Sequence, residues 1–241
     1  SATSTGVNYN NAFGYQALLA CTGSKNNAFG YQALTGNAGN FNCAFGHEAG
    51  EAVTTGEYNV FMGFATGKAN TTGTQNVALG ANALLSNTTA YDNVAIGFDA
   101  GRAITDGLRN TFIGAECGED NTASNNTAVG QRALRANTTG DSCVAIGRQA
   151  LLANTTGDAN VALGVDALTA NTTTSQNTAL GHKALKDNTA GNNVAVGFKA
   201  LEANTTATAN TGIGFEALKT NTTGHSNVAV GNGCMDSCTT G

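Results

Sequence analysis

Apolar and small positions alternate through one recurring phrase, NVALG at 160–164, NVAIG at 93–97 and NVAVG at 193–197. Its closing glycine recurs fourteen times, as Gly14, Gly30, Gly46, Gly63, Gly80, Gly97, Gly114, Gly130, Gly147, Gly164, Gly181, Gly197, Gly214 and Gly231, always 16 or 17 residues apart. The residue before this anchor glycine is apolar in every copy, and the third before it is most often Val or Thr. Between them stands Ala, except at Phe61, Phe112 and Gly212. Period two over so short a run predicts a strand. One face of it carries Val and Ile, the other Ala and Gly.

Two asparagine columns bracket the strand. One lies four residues before the anchor in thirteen copies, with Cys143 as the exception. The other lies seven after it in ten copies and is usually followed by Thr-Thr. Asn bonds its local backbone and tolerates turns, so the columns predict two corners. Ala-Leu, third and fourth after the anchor, predicts a second short strand; Gly50, Gly67, Gly101 and Gly118 replace its Leu. Sixteen residues cannot hold two helices, and the glycines and Asn-Thr-Thr corners would break them. The prediction is an all-β fold: a β-solenoid, or parallel β-roll, of about fourteen 16–17-residue coils. It forms a single repeat domain over 1–241 with no separate globular domain.

The phrases NVAIGFDA, CVAIGRQA and NVAVGFKA resemble the head repeats of YadA-type trimeric autotransporter adhesins. NTFIGAECG and NTALGHKALKDNTAG are similar to the repetitive shafts of phage tail fibres. The resemblance implies a left-handed parallel β-roll, three of which pack side by side. Two departures stand out: the ANTTG corner lengthens the period, and no neck or coiled-coil stalk pattern occurs in these residues.

The stripped strand face is the expected self-association face: Ala78, Gly80, Ala95, Gly97, Ala145, Gly147, Ala162 and Gly164. The expected partner is the chain itself, as a homotrimer or a head-to-tail filament, the latter because SATSTG and CTTG read as cut corners. Asn76, Asn93, Asn160, Asn177 and Asn193 are read as an Asn ladder. Asn70, Asn87, Asn125, Asn137, Asn154, Asn171, Asn204 and Asn221 begin N-x-S/T and are candidate glycosylation sites, or simply corner residues. Six cysteines suggest the disulfides Cys21–Cys43, Cys117–Cys143 and Cys234–Cys238.

Composition narrows the function. Thirty-two glycines, no proline and 11% charged residues fit a repeat array of small side chains. A net charge of −5 argues against a nucleic-acid partner, and no apolar run is long enough to insert in a membrane. No catalytic motif, cofactor site or metal-ligand cluster stands out, so no enzyme is expected. The reading is an extracellular or cell- or virion-surface fibre or filament subunit with an adhesive role, surface glycans being a further partner. The alternative is a monomeric carbohydrate- or ice-binding solenoid, suggested by the threonine columns and by the aromatics just after the anchor: Tyr15, Tyr31, Phe64, Phe98, Phe198 and Phe215, with His47 and His182.

Overall fold

The computed structural model describes residues 9–239. The corner read in 1–6 lies outside them, as do Thr240 and Gly241. The chain divides into two compact units, Ser1–Thr122 and Ala123–Gly241. Each described unit is a stack of coils and nothing else.

The first unit holds β1 (Asn11–Phe13), β2 (Asn27–Phe29), β3 (Cys43–Phe45), β4 (Val60–Met62), β5 (Val77–Leu79), β6 (Val94–Ile96) and β7 (Thr111–Ile113). The second holds β8 (Thr127–Val129), β9 (Val144–Ile146), β10 (Val161–Leu163), β11 (Thr178–Leu180), β12 (Val194–Val196), β13 (Thr211–Ile213) and β14 (Val228–Val230). Within a unit each strand pairs in parallel with the next, so identical repeat positions face one another. Ala78 lies opposite Ala95, and Ala162 opposite Ala179. The β-solenoid is therefore the fold.

The predicted second strand is absent. Ala-Leu lies instead in a run of tight turns. Backbone φ alternates in sign there: it is +59° at Asp166 and +51° at Leu168. Ala167 N–H closes one turn on Gly164 O at 3.3 Å, and Asn171 N–H closes another on Leu168 O at 3.2 Å. The turns still bond along the axis, with Leu168 N–H donating to Ala184 O at 3.1 Å. A left-handed φ costs a non-glycine residue about 1–2 kcal/mol. Leu168, Leu185 and Leu201 are fully buried, which returns about 1.5–3 kcal/mol each. The two are of similar size, so the leucine is tolerated where propensity alone would demand glycine.

The core is narrow. A typical coil buries the mid-strand Ala, the Ala-Leu pair and both asparagines. Where glycine replaces Leu, a larger group fills the space. Phe61 stands where the strand normally has Ala, and a Cβ on Gly50 or Gly67 would lie 2.8 or 2.3 Å from its ring. Phe112 does the same for Gly101 and Gly118, at 3.2 and 2.7 Å. Val53 and Ile104 replace the corner Asn in these places, also fully buried. The Phe-for-Ala and Gly-for-Leu exceptions are thus two sets of mutually compensating changes.

A candidate self-association face

The alanines expected on the outside are inside: Ala78, Ala95, Ala145 and Ala162 have no exposed surface. Gly80, Gly97, Gly147 and Gly164 meet their own stack. A Cβ on them would fall 2.4–2.6 Å from the carbonyl oxygen of the next anchor glycine, and their φ of +120° to +143° belongs to glycine. The close approach is therefore between coils of one chain. With the buried leucine column filling the interior, only Ala fits at mid-strand except where glycine replaces that Leu, and the larger apolar side chains of the strand turn outward.

Three columns make that outer face: the third residue before each anchor, the one just before it, and the one just after. In the first unit Phe13, Tyr15, Phe29, Tyr31, Phe45, Met62, Phe64, Phe98 and Ile113 are exposed by 37% to 73%. In the second, Ile146, Leu163, Phe198, Ile213, Phe215 and Val230 are exposed. Arg148 is the one Lys, Arg, Asp or Glu in these columns. It pairs with Asp166 at 3.2 Å.

The aromatics form ladders. Phe13, Phe29 and Phe45 stack at 5.9 and 5.1 Å. Tyr15, Tyr31, His47 and Phe64 stack at 5.4, 4.8 and 5.3 Å. His182, Phe198 and Phe215 repeat this in the second unit, at 5.4 and 5.2 Å. Interplanar angles of 12–27° mean that neighbouring rings cover each other's faces. Ring edges and the Val/Ile rows are what an approaching surface meets.

The asparagines four before the anchor do form a ladder. Asn76 Nδ2 donates to Ala90 O at 2.8 Å, and its Oδ1 accepts from Asn93 N–H at 3.1 Å. Asn177 donates its backbone N–H to Asn160 Oδ1 and accepts from Asn193 N–H, both at 3.0 Å. The corner asparagines form a second ladder, Asn171 Nδ2 to Asn154 Oδ1 at 2.8 Å and Asn154 Nδ2 to Asn137 Oδ1 at 2.9 Å. Between Val53 and Ile104 this ladder lapses: Asn70 Oδ1 and Asn87 Nδ2 are buried without a hydrogen bond. Burial also corrects the glycosylation reading. Asn70, Asn87, Asn137, Asn154, Asn171, Asn204 and Asn221 are fully buried, and a glycan on any of them would open the core. Asn125 alone of the eight is exposed.

No disulfide forms among the described residues. Cys21 replaces a buried corner Asn, whereas Cys43 sits on the outer strand row, so the two point to opposite sides of the coil wall. Cys143 takes a ladder position instead of a bridge: its thiol contacts Gly157 O at 3.2 Å, where Asn126 Nδ2 reaches Gly140 O at 2.9 Å. Burial pushes the Cys117 thiol up to about 12 and that of Cys143 up to about 11, and it raises Cys21. Thiols so far from ionising are poor nucleophiles and poor partners for disulfide exchange.

The corner threonines direct their hydroxyl protons along the stack. Thr71 Oγ1 donates to Thr88 O at 3.0 Å and Thr155 Oγ1 to Thr172 O at 3.0 Å.

No protein-family model, curated protein or solved structure matches the chain.

Proposed function

We propose that this chain is a structural subunit, a self-associating β-solenoid of a fibre or filament that packs its strand face against further copies of itself. One observation carries the reading: the outer strand face is broad, apolar and almost free of charge. With about 200 Å² for each large side chain and half of it exposed, the nine residues of the first unit present ~900 Å². A monomer's largest apolar patch is usually about 300–600 Å², and a standard interface buries about 800 Å² per partner. Depletion of charge is the mark of an interface core. The face also repeats at about the 4.8 Å strand spacing. Another stack of the same coil matches that period row for row; a globular partner has no such period. Closed cyclic association or an open filament both satisfy it. The surface location rests on the resemblance to adhesin heads and tail-fibre shafts.

Light scattering with electron microscopy of the same sample tests this. A trimer at three times 24.1 kDa, ~72 kDa, or long filaments, is the expected result. A particle of 24.1 kDa overturns the proposal.

A further inference from the structure

A second surface lies at a different corner of the first unit, among residues five and six after the anchor. There an open surface groove of about 680 Å³ is lined by Thr35, Glu51, Ala52, Lys68, Ala69, Leu85 and Ser86. A ligand there would lie along the surface rather than be enclosed. The floor is apolar: Ala52, Ala69 and Leu85. The floor's amides are already engaged, Ala52 N–H with Lys68 O and Ala69 N–H with Leu85 O, both at 3.0 Å. Polar recognition therefore falls to side chains. Lys68 Nζ lies 2.7 Å from Glu48 Oε2 and 3.5 Å from Glu51 Oε2, leaving Glu51 as an acceptor and Lys68 as a donor side by side. Thr35 donates its hydroxyl proton to Gln32 O at 3.0 Å, which leaves its oxygen as an acceptor.

We propose that this groove binds a neutral saccharide, its C–H face on the alanine and leucine floor and two adjacent hydroxyls on Glu51 and Lys68. The charges disfavour anionic and purely apolar ligands. The single ammonium is already shared by two carboxylates, so an anion such as a phosphate or a sialic acid finds no free counter-charge and meets Glu48 and Glu51. A purely apolar ligand would cover the ion pair without replacing its water, at a desolvation cost. A polyol meets both requirements, because each hydroxyl both donates and accepts. The site is independent of the strand face and does not depend on self-association.

The test is ligand-observed saturation-transfer NMR and calorimetry on the whole chain. The probes are methyl glycosides of glucose, galactose, mannose and N-acetylglucosamine, with lactose, cellobiose and maltose; sialyllactose and inorganic phosphate serve as charged controls. Saturable binding of at least one neutral probe is expected. Ala69→Trp fills the groove and should weaken that binding tenfold or more. Lys68→Met, which removes the donor while keeping the stem, should weaken it severalfold. Ala170→Trp, at the same repeat position in the second unit, should leave it unchanged. Absence of binding by every neutral probe overturns the proposal. So does binding that survives both Ala69→Trp and Lys68→Met, or a preference for the charged controls.

Discussion

At the scale of single residues, the repeat is held by what each position does along the stack axis. The anchor glycine shows it most sharply. Gly164 combines a φ of +143° with a next-coil carbonyl oxygen 2.4 Å from where a Cβ would sit. Gly164→Ala should lower the unfolding free energy by about 3 kcal/mol or more, strain and clash together. Gly36→Ala is the control. Its φ is +78° but no atom lies within 4 Å of the added methyl, so about 1–2 kcal/mol is expected. Chemical denaturation of the two variants separates clash from conformation. Cys143 gives a second prediction, in pH. Its thiol goes from an ordinary value of 9.0 to about 11 in the folded chain, first through burial. The folded state therefore holds its proton where the unfolded state has lost it. The stabilisation is full below pH 9 and is lost as pH rises from there through about 11, by roughly 2–3 kcal/mol at 1.36 kcal/mol per unit. Cys143→Asn restores the ladder residue and should remove this alkaline loss. Unfolding measured between pH 8 and 11, variant against parent, isolates the one thiol.

At the scale of the coil, the sequence was legible where a position had one job. The strand, the parallel stack and the asparagine ladder all followed from spacing. Two things did not follow. Ala-Leu reads as a strand because it is a short apolar pair between turn signals, yet the chain there alternates left- and right-handed backbone; burial of Leu168 overrides its local preference. The direction of the strand faces was inverted too. Small residues beside glycine suggest a surface cleared for a neighbour, but Ala162 faces an interior already filled by the buried leucine column. A signal for this was present. Phe61 coincides with Gly50 and Gly67, and Phe112 with Gly101 and Gly118, and such exchanges of volume occur only between residues that share an interior. The pairing predicts its own test. Phe61→Ala leaves a cavity and should cost about 3–5 kcal/mol. Gly67→Leu alone crowds the ring, since even a Cβ would sit 2.3 Å from it. The triple variant Gly50→Leu/Phe61→Ala/Gly67→Leu rebuilds the common coil and should recover most of the loss. Thermal unfolding of the singles and the triple shows whether the costs cancel; simple addition would mean that these residues do not share space.

At the scale of the whole molecule, the proposed self-association makes the outward apolar rows the place to perturb. Phe45→Glu and Leu163→Glu place a charge on the strand face without touching the core, since both side chains point out. Each should shift the assembled species toward 24.1 kDa in light scattering and leave the circular dichroism of the coil unchanged. Ala170→Glu, away from those rows, should not. An exposed apolar face was legible in the sequence, while the residues that form it were not, because alternation defines two faces but does not say which one is inside.

The Phe61 and Phe112 substitutions bear on how such a chain finds its fold at all. A perfectly uniform repeat can fold out of phase, with a coil skipped and every hydrogen bond still made. Slipping the first unit by one coil would press Phe61 against a leucine and leave a hole at the displaced glycines. The two irregular pairs of coils thus act as phase marks, 51 residues apart between Phe61 and Phe112, and penalise errors of counting that the regular coils cannot detect.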